Sequence, residues 1–153
     1  MSVRTDILDD IMTLLQGIDG TGDYNFAVAA VRRTPLNPDN EQHFPYVYIN
    51  ENREVYDAGP IQSPAGFLTR RLGLAIMGYV NVPATAAESA GLLLADVELA
   101  LLQGDHSLGG KAVDIILVSN EMIADEIRPD LSGFLLEVEI QYRARHNDPN
   151  SAS

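Results

Sequence analysis

The stretch from Phe67 to Val82 constrains this chain more than any other. Over about 16 residues it reads as one continuous strand, with Leu72, Leu74, Ile76 and Val80 on one side and Arg71, Gly73, Ala75, Met77 and Tyr79 on the other. Side chains alternate across a strand, so the pattern gives one apolar face and one mixed face. A typical strand has about five or six residues, and one this long reaches past the core of its own domain. The chain therefore needs a sheet, and something apolar must cover its Leu/Ile side.

Two amphipathic helices are available for that. Near the start, Ile7, Leu8, Ile11, Leu14, Leu15 and Ile18 fall on one helical stripe, with Ser2 or Thr5 as the cap and Asp6, Asp9 and Asp10 in the first turns, where carboxylates suit the helix dipole. Gly17 and the run Gly20 to Asp23 end it. After Pro83, Thr85 and Glu88 form a capping box that opens a second helix. Its stripe is Leu93, Leu94, Val97, Ala100 and Leu101, and Gly104 is placed to end it.

Four further strands are expected. A weak one runs from about Asn25 to Arg33, followed by a polar loop with Pro35 and Pro38. An aromatic one runs from Phe44 to Tyr56, with Pro45 at its entrance. A third runs from Lys111 to Ser119, with Val113, Ile115 and Leu117 on one side, and Asn120 to Ser132 is read as a loop. In the last, Phe134, Leu136, Val138, Ile140 and Tyr142 alternate with Leu135, Glu137, Glu139, Gln141 and Arg143, a pattern with one face in the core and one in water. Helix, three strands, helix, two strands is an α+β layout. We expect a mostly antiparallel sheet of four to five strands, two helices on one face, and a projecting strand hairpin. Residues 1–145 form one domain, and 146–153, HNDPNSAS, form a flexible C-terminal tail.

At 153 residues a single core is the default. The absence of cysteine excludes disulfides, thiolate metal sites and thiol catalysis. Ten Lys plus Arg against 22 Asp plus Glu leave a net charge of −12, which opposes sequence-unspecific binding to nucleic acid. No apolar run reaches membrane-span length, and MSVRTDILDD lacks the apolar core of a signal peptide, so a cytosolic protein is expected.

No catalytic constellation emerges. The glycines at 17, 20 and 22 follow a helix and lack the Lys-Ser/Thr pair of a phosphate loop. His106 beside Ser107 has no nucleophile elbow around it. His43, His106 and His146 lie in separate loops or the tail, without the helical spacing of metal ligands. The acids sit in polar stretches or on the wet face of a strand, where nothing raises a carboxyl pKa for acid-base work. No enzyme, no cofactor and no metal are expected.

What remains is surface. Nine of the ten basic residues are Arg, and Lys111 is the lone lysine. Arg makes planar, bidentate contacts and is favoured at interfaces. Arg32 with Arg33, Arg70 with Arg71, and Arg143 with Arg145 are the only positive clusters. They read either as solvated strand ends or as groups that meet carboxylates on another copy of the chain. The long strand and its Pro/Gly-rich loop, Asp57 to Gly66, read as a solvent-exposed hairpin or as an arm packing on a neighbour. The arm is the reading we favour, with Tyr56, Ile61 and Phe67 as its contact residues.

The opening VRTDILDDIMTLLQGI, the central FPYVYINENRE, the joint LLQGDHSLGGKAVDIILVSNE and the closing GFLLEVEIQYRA, in this order, resemble the tail terminator proteins of long-tailed bacteriophages, also called tail completion or minor tail proteins. The resemblance implies a virion structural subunit at the tail–neck junction, assembled in the host cytoplasm as a homo-oligomeric ring of six. Such a ring caps the tail tube protein, ends tube polymerisation and meets the head-side connector. By the same resemblance the 57–66 loop corresponds to a projecting hairpin, and Arg143 and Arg145 lie where subunits or tube proteins are contacted. A −12 charge suits a channel that passes DNA without holding it. Two alternatives stay open: a neck connector or adaptor subunit, and a small hydrolase using Asp and Glu with a divalent metal.

Overall fold

The computed structural model describes residues 2–33, 43–56, 67–81, 86–104, 107–124, 131–145 and 148–152. Helix α1 spans Val3–Gln16 and is followed by strands β1 (Ala30–Arg32), β2 (Tyr46–Tyr56) and β3 (Phe67–Val80). Helix α2 (Ala86–Leu102) precedes β4 (Asp114–Ala124), β5 (Ser132–Arg145) and β6 (Asp148–Ala152). Five strands lie in the order β1-β2-β3-β5-β4, and β6 pairs with β5. β1 and β2 are parallel, and every other pair is antiparallel. This is the expected α+β class.

Helix α1 forms where its stripe and cap predict, and α2 forms where its stripe predicts. The Ser2 hydroxyl accepts the Thr5 N–H at 3.1 Å, and at the other end the Gly17 N–H returns to the Thr13 and Leu14 carbonyls, so orphan groups at both termini of α1 are satisfied. In α2, Ala90, Leu93, Leu94, Val97, Ala100 and Leu101 are buried; Thr85, the expected cap, lies outside the described residues. One face of the sheet meets both helices. There Val47, Ile49, Leu72, Leu74, Ile76, Ile115, Phe134, Leu136, Val138 and Ile140 pack against Ile7, Leu8, Ile11 and Leu15 of α1 and the buried stripe of α2. Two glycines permit the closest packing. A Cβ on Gly78 would meet the Phe134 ring at 2.5 Å, and one on Gly133 would meet the Gly78 carbonyl at 2.5 Å and the Tyr79 ring at 2.7 Å. Each strand therefore lays an aromatic ring across the other's backbone, Phe134 of β5 over Gly78 of β3 and Tyr79 of β3 over Gly133 of β5.

Four expectations are corrected. The strand expected over Asn25 to Arg33 shrinks to three residues, because the Asn25 and Phe26 N–H groups go to the Asp96 carboxylate and the Val28 N–H to the Ile18 carbonyl, and only from Ala30 does the chain lie in register with β2. β4 runs to Ala124, through residues read as loop; Asn120 and Glu121 are polar, but an edge strand pairs on one side only and tolerates them. Val113, expected within that strand beside Ile115 and Leu117, stands just before β4 and is half exposed. Residues 148–152, expected within a flexible tail, form β6. β4 pairs with β5 only as far as Gln141, and the returning chain pairs with the stretch of β5 beyond it, at Ala144 and Arg145.

Candidate interaction surfaces

At the end of the sheet where β2, β3 and β5 run past the apolar core, the helix-covered face changes from hydrocarbon to charge. Glu54, Tyr56, Arg70 and Tyr142 meet there, because Glu54 pairs in register with Leu72, Tyr56 with Arg70, and Arg70 with Tyr142. The Arg70 guanidinium lies 5.2 Å from the Tyr56 ring centre and 6.0 Å from that of Tyr142, and its Nη1 is 3.4 Å from the Glu54 carboxylate. The Tyr142 hydroxyl donates to the same carboxylate. From the start of α1, Arg4 reaches Glu51 at 3.2 Å and Glu54 at 3.7 Å. Burial, then the bond to Glu54, raises the Tyr142 pKa well above the usual phenol range; Arg70 opposes this in part. Burial works against the Arg4 charge, but the Glu51 and Glu54 carboxylates outweigh it and hold the guanidinium protonated. The cluster ties the first turn of α1 to three strands.

The helix-free face is built differently. Near the β1 end, Tyr46, Tyr48, Tyr79 and Leu131 form a small second core, with Phe44, Met77 and Ile123 packed against it. Tyr46 and Tyr79 stack with centroids 5.4 Å apart, and the Tyr48 hydroxyl donates to the Met77 sulfur at 2.7 Å. Further along lies a hollow of about 360 Å³ lined by Asn52, Arg53, Val55, Arg71, Gly73, Val118, Glu137 and Glu139. The β2 bulge between Glu51 and Glu54 forms one wall; the Arg53 carbonyl comes to 3.2 Å from where a Cβ on Gly73 would sit, so only glycine leaves that approach unobstructed. Arg71 crosses the floor to Glu139 at 3.7 Å.

The residues singled out from the sequence are thus divided among several places. Arg70 and Arg71 are adjacent yet face opposite sides of the sheet: Arg70 is 15% exposed inside the Glu54 cluster, and Arg71 is 41% exposed on the open face. Tyr56 is exposed at the end of β2, over Arg70. Arg143 is exposed on the same face as Arg71, opposite Thr69. Arg32 ends β1, half-buried, and Arg33 beside it pairs with Asp9 at 3.6 Å and Glu51 at 3.9 Å. Phe67 and Arg145 are register partners at the extreme end of β3 and β5. Ile61 and the whole 57–66 loop lie outside the described residues.

Two charged residues have roles that the sequence reading missed. Asp96, on the apolar helix α2, is 1% exposed and accepts the backbone N–H groups of Asn25 and Phe26, both at 2.8 Å, together with the Asn25 side-chain amide. An acid in the middle of an apolar helical stripe was the available signal, and it corrects the expectation that every acid is solvated. Lys111 bonds Asp10 at 2.6 Å, joining α1 to the turn before β4, and that bond raises the lysine pKa. The turn itself needs Leu108, Gly109 and Gly110 at positive φ.

Among the described residues no three of His, Asp and Glu come together as a metal site, and no helix is long and apolar enough to cross a membrane. Among the described residues the surfaces present guanidinium–carboxylate pairs, an aromatic end and two sheet edges with no strand beyond them, and arginine and aromatic residues are enriched where proteins meet in general.

No family model and no curated protein matches the chain. Among solved structures it is similar to a chain of the virion of a native gene transfer agent particle, at 15% identity and a TM-score of 0.48, covering 94% of this chain and 92% of that one. It is also similar to a chain in the sheath/tube terminator of an extracellular contractile injection system in the extended state, at 12% identity and a TM-score of 0.47, covering 97% of this chain and 60% of the other.

Proposed function

We propose that the chain is a tail terminator: a structural subunit at the tail–neck junction of a phage-like particle. Six copies close into a ring that caps the tail tube, ends its polymerisation and presents a surface to the head-side connector. The role is structural and not enzymatic, and DNA passes the ring without being held. One observation carries this reading: the four segments on which the sequence resemblance rests fall on successive elements of the α+β fold. VRTDILDDIMTLLQGI covers α1, FPYVYINENRE covers most of β2, LLQGDHSLGGKAVDIILVSNE begins in the last residues of α2 and ends in β4, and GFLLEVEIQYRA lies in β5. The open face and two sheet edges leave room for the head-to-tail contacts that close a ring.

The test is electron microscopy of tail tubes mixed with the purified protein. Decoration of one tube end by a ring supports the reading, and tubes left bare at every protein concentration would refute it. Loss of the gene separates the terminator from a neck connector: overlong tails mark a terminator, whereas normal tails detached from heads mark a connector.

A further inference from the structure

The two edges of the sheet match one another. β1 is one edge and β4 the other, and among the described residues no strand pairs with the outer side of either. The registers can be followed straight across the sheet from β1 to β4. Arg32 pairs with Tyr48, Tyr48 with Met77, Met77 with Leu135, and Leu135 with Glu121. The next row runs Val31, Val47, Gly78, Phe134, Met122, and the one after it Ala30, Tyr46, Tyr79, Gly133, Ile123. The three residues of β1 therefore share rows, and faces of the sheet, with Glu121, Met122 and Ile123.

Strand direction adds a second match. β1 is parallel to β2, and the three antiparallel steps from β2 to β4 reverse direction an odd number of times, so β4 runs opposite to β1. A second copy set beside the first without stagger brings its β1 antiparallel to β4. Glu121 then faces Arg32 of the other copy on the helix-free side, Met122 faces Val31 on the helix side, and Ile123 faces Ala30. An acid meets a base and apolar groups meet apolar groups, the pairings that stabilise neighbouring strands. Met122 is 46% exposed in the single chain although it lies on the side that elsewhere carries the core. β4 is an eleven-residue edge without proline or lysine, the residues that commonly blunt such edges.

We propose that Glu121–Ile123 of β4 pairs with Ala30–Arg32 of a second copy, so that the sheet continues from one subunit into the next with the helices on one side throughout. The contact is heterologous, and repeated by rotation it closes a ring. The inference rests on the ring reading above and names its seam.

Charge reversal and cross-linking test it on the full chain. In sedimentation velocity, Arg32→Glu and Glu121→Arg each raise the concentration needed for assembly about fivefold, and the double variant returns to the original value, because the pair is restored with its signs exchanged. The cysteine-free chain allows a direct trap. Val31→Cys mixed with Met122→Cys yields a disulfide-linked dimer under mild oxidation, while neither variant alone does. A Met122→Cys dimer on its own would mean that β4 pairs with β4 and would overturn the proposal. So would an assembly that forms with no cross-link in the mixture; rings on tube ends in that case would leave the terminator reading standing. A chain that stays monomeric at high concentration and on tubes would overturn both.

Discussion

The two faces of the sheet share the same strands and differ in what covers them. The helix-covered face is a continuous hydrocarbon core ending in one buried ionic cluster, whereas the open face has a small tyrosine cluster at one end and an exposed mixture of Arg and Glu at the other. Arg70 and Arg71 state the contrast within a single dipeptide. One residue's difference in position turns Arg70 into the Glu54 cluster on the helix-covered face and Arg71 onto the open face, so side chains of equal charge have unequal surroundings. The comparison teaches that the hydrocarbon core of this fold is concentrated on one side and its exposed charge on the other.

The contrast is sharpest where a core ring is removed. Phe134→Ala empties the space between Gly78, Leu93 and the sheet, and is expected to cost about 3–5 kcal/mol in chemical denaturation. Arg70→Met should come next, at about 2–3 kcal/mol, because the mostly buried Glu54 carboxylate loses the nearer of its two guanidinium partners and keeps only Arg4 at 3.7 Å and the Tyr142 hydroxyl. A loss below about 0.5 kcal/mol would show that the cluster behaves as surface and would erase the distinction between the faces. Asp96→Ala is expected to cost about 2 kcal/mol, since two backbone N–H groups lose their acceptor.

The Tyr142 hydroxyl gives the same contrast a pH signature. Its pKa is raised in the folded state, so above about pH 10 the unfolded chain releases a proton that the folded chain retains. The stability present below that pH is lost as the pH rises through the alkaline range. Tyr142→Phe should flatten the fall. Tyr24 and Tyr48 are raised by burial as well, so a smaller slope persists in the variant. An unchanged slope would place the Tyr142 hydroxyl in water.

Alternation made the covered face legible. Leu72, Leu74, Ile76 and Val80 in β3, and Phe134 to Tyr142 in β5, point inward as their period of two requires, and the helical stripes supplied their cover. The open face was less legible, because its order comes from pairing between strands distant in sequence. Nothing in the order of residues says that Arg32 and Glu121 end the same cross-sheet row. Asp96 was missed for a related reason: its partners are backbone N–H groups some 70 residues away, which have no sequence signature. β6 follows from where β4 stops pairing, a consequence of register and not of the composition of HNDPNSAS.

The smallest expected effect on stability is the one that separates surface from core. Arg71→Glu replaces a half-exposed guanidinium whose ion pair with Glu139 spans 3.7 Å in the presence of solvent. Such pairs are worth between zero and about 1 kcal/mol, so the melting transition should shift little. The new carboxylate joins Glu137 and Glu139 around the hollow, however, and makes that face locally anionic in a chain already at −12. If the open face meets an acidic surface of a tube or connector protein, assembly on tube ends weakens while the monomer remains folded. If assembly is unchanged, Arg71 is a solvated residue, and contact must be sought at the edges of the sheet instead of on its face.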